Sequence, residues 1–159
     1  MCCCVMVLVS SVDIMTRYNS LLFRCEAWAV GDRRGIGLSL LVHGEAVAQP
    51  RHRVRRIGTN MVFYDPSTPS KRKCKRAVHH SLLAIGVSQR PVFPANGRLV
   101  VDVTFHVTNP NKDVDNMLKY TLDSLQDVMY GNDRNIYEVH CKKVNDTSEF
   151  TEIMVSNMS

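Results

Sequence analysis

Ordered alternation of apolar and polar positions begins near Ile36, where GIGLSLLVHGEA gives a short apolar run closed by Gly44. That pattern predicts a first strand at 37–43 ending in a turn. Pro50 then interrupts regular structure, basic residues crowd Arg51 to Arg56, and Met61 to Tyr64 forms a short strand before Asp65-Pro66. A basic loop is therefore expected between two strands. Ser67 or Ser70 can cap a helix running to about Val87, with Cys74, Ala77, Val78, Leu82 and Ile85 at helical spacing and Gly86 near its end. The prolines and glycines of GVSQRPVFPANGR read as a loop, and the β-branched run from Leu99 to Val107 is the clearest strand of the chain. After a turn at Thr108 to Asn111, the residues Leu118, Leu122, Leu125 and Met129 mark one apolar face of a helix that Gly131 and Asn132 should close. Alternation resumes from Ile136 to Val144, and a last strand is expected at about 149 to 155. With no internal repeat, the elements describe an α/β (α+β) fold: a small mixed β-sheet with two main helices.

The length of 159 residues suits one domain plus an appendage, and 45% hydrophobic composition excludes a disordered or collagenous chain. The apolar run from Cys2 to Val12 is shorter than the ~20 residues of a membrane-spanning helix, so no membrane partner is expected. The following MTRYNSLLFRCEAWAVGDRRG is similar in composition to a mitochondrial presequence, although Glu26 and Asp32 count against it. Residues 1–35 are read as an N-terminal extension. Cys2, Cys3, Cys4, Cys25, Cys74 and Cys141 form no C-x-x-C pair, which points to free thiols in a reducing compartment inside the cell rather than to disulfides or zinc.

Two chemical features stand out, and the first is acidic. Asp113 and Asp115 lie where a strand gives way to a helix, and Asp133 follows that helix. A single carboxylate at a helix start is ordinarily a cap. Two carboxylates two positions apart repel each other unless a cation lies between them, and oxygen ligands of this kind suit magnesium, with manganese as its substitute. Asp133 is required by no cap of the preceding helix. Lys119 falls one helical turn after Asp115, beside the candidate metal site or in a surface ion pair. Asp123 and Asp127 continue at the next i+4 steps and are read as the polar face of the helix, not as ligands.

The second feature is basic. Arg51, Arg53, Arg55, Arg56, Lys71, Arg72, Lys73, Lys75 and Arg76 crowd a segment whose only acid is Asp65, and the whole chain carries a net charge of +5. Such a cluster suits phosphate contacts, with a localisation signal at KRKCKR as the competing reading. Few aromatics are interleaved, which favours duplex backbone recognition over single-strand stacking.

Together these residues resemble the RusA family of Holliday junction resolvases. KDVDNMLKYTLDSLQDVMYGNDRNI, from Lys112 to Ile136, matches the family pattern D-x-D-N-x-x-K-x-x-x-D-x-L followed by D-D-x-x-I, and GEAVAQPRHRV and FYDP resemble its first two strands. The resemblance covers about Ile36 to Val144 and places an endonuclease domain at 36–157. It implies a mixed α/β fold, a homodimer and magnesium-dependent cutting of four-way DNA junctions in recombination and repair. Carried over by position, Asp113, Asp115 and Asp133 would be metal carboxylates and catalytic residues, and Lys119 the catalytic lysine. The DNA contacts expected are Arg51, Arg53, Arg55, Arg56, Lys71, Arg72, Lys73 and Lys112. Asn132 departs from the pattern, standing where the family usually has the first acid of its D-D pair. The rival reading is a non-catalytic nucleic-acid-binding module, and a related one is a nuclease acting on forks or flaps. An intracellular setting is expected throughout: cytoplasm or nucleoid, nucleus, or mitochondrion.

Overall fold

The computed structural model describes the backbone of residues 24–32, 35–50, 52–84 and 93–158, and the side chains of these from Gly37 onward, Ala84 excepted. Arg51 and the expected helix end at Ile85 to Val87 lie outside the described residues. The elements in chain order are β1 (Arg24–Asp32), β2 (Gly35–His43), β3 (Arg53–Ile57), β4 (Asn60–Tyr64), α1 (Thr68–Ala84), β5 (Leu99–Val107), α2 (Val114–Leu125), a 3-10 turn (Asp133–Asn135), β6 (Ile136–Asn145) and β7 (Phe150–Asn157). This is the mixed α+β architecture that the alternation predicts.

Five strands form one sheet in the order β1-β2-β7-β5-β6. Every pairing in it is antiparallel except β5 with β6, which run parallel with Leu99 beside Ile136 and Val107 beside Asn145. Parallel neighbours need a crossover, and α2 supplies it. The side chains of Leu99, Val101, Val103, Phe105 and Val107 alternate onto one face of β5 and are buried there with Leu38 and Leu40 of β2 and Ile153 and Val155 of β7. From α1 the same core receives Cys74, Val78 and Leu82, and from α2 Met117 and Leu125. Truncating Phe105, which is 1% exposed, should cost about 3–5 kcal/mol. Burial also pushes the Cys74 thiol up to about 11, so it acts as a core residue and not as a nucleophile. Among the described residues no helix is long and apolar enough to cross a membrane.

The structure departs from the sequence reading in three places. Arg24–Asp32, expected within an extension, forms β1 and pairs with β2 along its whole length, from Arg24 beside His43 to Asp32 beside Gly35. The expected basic loop is largely strand. Arg53–Ile57 pairs with Asn60–Tyr64 through a tight turn at Gly58, whose φ of +60° suits a residue without a Cβ. This two-stranded ribbon is separate from the main sheet and exposed at every position, so neither face shows the alternation that burial imposes. Finally, α2 ends at Leu125 and does not continue to Tyr130. Asp127 adopts φ +66°, a left-handed conformation that breaks the helix, and its amide bonds to the Tyr130 carbonyl at 2.7 Å. Met129 and Tyr130 still reach the core from the turn that follows.

Candidate active site

Asp113 stands at the N-cap position of α2 with extended backbone, yet its carboxylate makes no capping bond to the helix amides. It accepts instead from Asn116 Nδ2 at 3.2 Å, and it is exposed. Asp115, in the first turn, is also exposed and forms no hydrogen bond or ion pair with the described residues. The ordinary explanation of a helix-start carboxylate as a cap therefore does not account for either side chain. Two exposed carboxylates this close in sequence, neither used as a cap, suit a hard divalent cation, which takes oxygen ligands.

Asp133 lies elsewhere. It opens the 3-10 turn before β6, where Asn132 Oδ1 accepts from the Arg134 amide at 3.0 Å and so takes the capping role itself. Burial pushes the Tyr130 hydroxyl well above its ordinary range, and the nearby charges of Asp133 and Asp123 push it the same way. Tyr130 Oη donates to the Leu122 carbonyl at 2.8 Å, which fixes this group at the C-terminal end of α2. Asp113 therefore follows the C-terminal end of β5, while Asp133 precedes the N-terminal end of its parallel neighbour β6. The crossover helix alone, Val114–Leu125, is about 18 Å long at ~1.5 Å per residue. The two carboxylates are thus on the order of 20 Å apart. Among the described residues no group of three or more His, Cys, Asp or Glu side chains is close enough to hold a metal ion.

Lys119 does not pair with Asp115. Its ammonium turns towards the other end of the helix and binds Asp123 Oδ1 at 2.8 Å, with more than half of its side chain exposed. Asp123 in turn meets Lys71 of α1, whose Nζ lies 2.7 Å from Asp123 Oδ2 and 2.9 Å from Asp65 Oδ2. With its amide nitrogen turned to Asp123, Gln49 donates at 3.2 Å and accepts from Lys71 at 3.2 Å. Burial works against each charge, but the mutual hydrogen bonds prevail. Asp65 is held down to about 2, Asp123 lies below the ordinary carboxylate range and Lys71 above the ordinary ammonium range. Sequence reading missed this clamp because Asp65 and Lys71 are six residues apart and Lys71 and Asp123 are joined only by the fold. The i+4 spacing of Lys119 and Asp123 was its one local signal.

The basic residues divide into two groups. Arg53, Arg55 and Arg56 of the ribbon and Arg72, Lys73 and Arg76 of α1 are exposed. Lys71 is almost entirely enclosed by its clamp, and Lys112 binds Glu45 at 2.6 Å and the Ala46 carbonyl at 3.2 Å with a side chain only 14% exposed. These two, expected among the DNA contacts, act as internal struts. The ribbon also adds what the composition hid: Val54 faces Phe63 and Arg56 faces Met61 across the strands, with Phe63 72% and Met61 66% exposed.

A comparison with known families matches residues 43–156, most of the chain, to the family described as endodeoxyribonuclease RusA. No curated protein matches the chain.

Proposed function

We propose, from the premise that this chain belongs to the RusA family of endodeoxyribonucleases, that it is a dimeric, magnesium-dependent nuclease whose two active sites are each built from two copies. RusA endonucleases act on branched DNA junctions. The finer reading is hydrolysis of a phosphodiester at a four-way junction, with Asp113 and Asp115 of one copy and Asp133 of the other as metal carboxylates. The observation that carries it is the position of these residues: two exposed, uncapped carboxylates at one end of α2 and the third at the opposite end. Side chains as short as Asp cannot close a gap of that size around a single ion, whose oxygen ligands stand about 2 Å from it. A two-fold dimer supplies the missing carboxylate twice, and it also gives two equivalent sites for two equivalent strands.

Magnesium, or manganese in its place, would when bound polarise the scissile phosphate and lower the pKa of water. The protein's own residues do the rest. Asp123 holds the Lys119 ammonium, and Lys71 and Gln49 hold Asp123, so the lysine is restrained by a chain of bonds that reaches back into α1. The role assigned to Lys119 is to steady charge on the attacking or leaving oxygen. The exposed arginines of the ribbon and the outer face of α1 bind phosphates, a contact that carries affinity without sequence choice.

Asp113 and Asp115 without capping bonds also weigh against the rival reading, a nucleic-acid-binding module in which these aspartates merely cap a helix. The test is incubation of the purified protein with four-way junctions, forks, flaps and plain duplex, with and without magnesium. Metal-dependent cutting confined to branched DNA supports the reading, and binding without cutting of any substrate refutes it.

A further inference from the structure

We infer that the ribbon of β3 and β4 is a wedge for branched DNA: the Phe63 ring, with Met61 beside it, enters the break in base stacking at a branch point while the ribbon's arginines hold the flanking phosphates. This rests on the reading above that branched DNA is the substrate, and it names the side chain that tells a branch from a plain duplex.

Both strands of the ribbon are exposed at every position. The register puts Val54, Arg56, Met61 and Phe63 on one side and Arg53 and Arg55 on the other, because residues facing each other across an antiparallel pair share a side. On the first side Phe63 and Met61 are the two most exposed large apolar side chains among the described residues, and neither belongs to the core. Arg56 is held to the turn, where its Nε donates to the Gly58 carbonyl at 3.2 Å.

Charge selects an anionic partner. Between Glu45 and Asp65 the chain has no carboxylate, but it has Arg51, Arg53, Arg55 and Arg56. Phosphate contacts account for these cations and leave two bare apolar side chains among them unexplained. Nucleic acid accounts for both, since it carries phosphates outside and offers apolar base faces wherever the stack is broken. In a continuous duplex an inserted side chain must first part a base step. At a branch point the stack is already interrupted, so the same insertion costs less. Phe63 therefore adds affinity at a branch that a plain duplex does not share.

The root of the ribbon is anchored. Asp65 follows Tyr64 directly, and its carboxylate accepts from the Ser67 amide at 2.8 Å and from Lys71 at 2.9 Å. Lys71 also binds Asp123, which binds Lys119. The wedge is thus joined, through Asp65 and the ion pairs of the clamp, to the lysine assigned to the cleavage step.

The test compares the full chain with its Phe63→Ala and Phe63→Trp variants, folding and oligomeric state being read by circular dichroism and sedimentation velocity. A four-way junction with 2-aminopurine at its branch point and a duplex with the same probe are titrated in EDTA, so that binding is read without cutting. Phe63→Ala should weaken junction binding at least about fivefold, the low end of what one stack of a base on an aromatic ring is worth. Duplex affinity and the slope of log affinity against log salt should stay as in the wild type, because no cation is removed. Phe63→Trp should keep the wild-type preference for the junction. The wild type should change the fluorescence of the branch-point probe, and Phe63→Ala should not. Equal losses on junction and duplex, or a Phe63→Ala protein that binds the junction and changes its fluorescence as the wild type does, would overturn the inference. So would a change of oligomeric state in Phe63→Ala, which assigns this face to a second copy, and so would Phe63-dependent binding to anionic phospholipid vesicles without the junction signal. Magnesium-dependent cutting of the junction is read separately. A wild type that cuts, with Phe63→Ala matching it throughout, rejects the wedge alone; one that unstacks the branch through Phe63 yet never cuts rejects the nuclease alone.

Discussion

Asp113→Asn and Asp133→Asn should each be inactive alone and regain cutting when their subunits are mixed. On the proposed shared site, each homodimer would lack one carboxylate at both of its sites. In a mixed dimer one site receives both substitutions, while the other combines an intact Asp113 with an intact Asp133. Random reassortment makes about half the dimers mixed, and one good site in each restores about a quarter of the wild-type sites. The premise is a distance: α2 alone is about 18 Å long at ~1.5 Å per residue, and Asp113 and Asp133 flank its opposite ends. Two oxygens bound to one magnesium are separated by no more than about 4 Å, given ligand distances near 2 Å. No rotamer change spans the difference. The assay is a supercoiled plasmid carrying an extruded cruciform, incubated with co-refolded, differently tagged variants. Mixed dimers with one working site should accumulate nicked circles, whereas wild-type enzyme linearises by paired cuts. Asp113→Asn mixed with Asp115→Asn should stay dead, because both changes fall in the same half-site. If tag capture shows mixed dimers and the first mixture still cuts no better than its components, the shared-site reasoning is wrong.

Five further outcomes follow from the same geometry. Lys119→Ala should suppress cleavage far more than junction binding, and Asp123→Asn should lower kcat with KM little changed; equal losses of affinity and rate would make Lys119 an ordinary phosphate contact. Lys71→Met should destabilise the fold by about 2–4 kcal/mol in denaturant titration, because Asp65 and Asp123 lose their shared cation, and a change below about 0.5 kcal/mol would show the clamp to be incidental. The carboxylates of that clamp have depressed pKa values, so their stabilisation is present above the ordinary Asp value of 3.8 and fades as pH falls from there towards about 2. Wild type should therefore lose more stability than Lys71→Met across that window, and parallel curves would refute the assignment. Neutralising Arg53, Arg55, Arg56 and Arg72 together should flatten the dependence of log affinity on log salt by up to roughly 0.9 per lost phosphate contact, whereas Lys71→Met should leave the slope unchanged. A chain beginning at Arg34 should be less stable and prone to aggregate, because removal of β1 bares the edge of β2; undiminished stability would make β1 an ornament of the sheet.

What could be read from the sequence is what burial writes into it. β5, with every second residue in the core, and the Leu118, Leu122, Leu125 stripe of α2 carry a period because one face must be apolar. Strand β3, Arg53–Ile57, touches water on both faces, so nothing selects an alternation and it reads as a loop, whereas the apolar run Met61 to Tyr64 makes its partner legible as a strand. β1 lies in a segment whose composition resembles a leader, and no apolar period marks it off from what precedes it. The acidic motif was legible residue by residue, but its division between the two ends of α2 depends on the parallel pairing of β5 and β6, which no local pattern encodes. Lys71 and Lys112 looked like members of a charged surface because a lysine's partner at a distance in sequence leaves no mark near it.

The position of β7 bears on how the protein is made. Phe150–Asn157 is the last strand of the sheet in the sequence, yet it sits between β2 and β5 and bonds to both. On the ribosome the edges of β2 and β5 therefore emerge facing each other with no strand bonded between them. Each exposes apolar surface, Leu38 and Leu40 on one side and Val101, Val103 and Phe105 on the other, until β7 leaves the exit tunnel and slots into the gap. Completion of the sheet is thus timed by translation, and a premature stop before Phe150 leaves the edges of β2 and β5 unpaired, which invites chaperones or proteolysis.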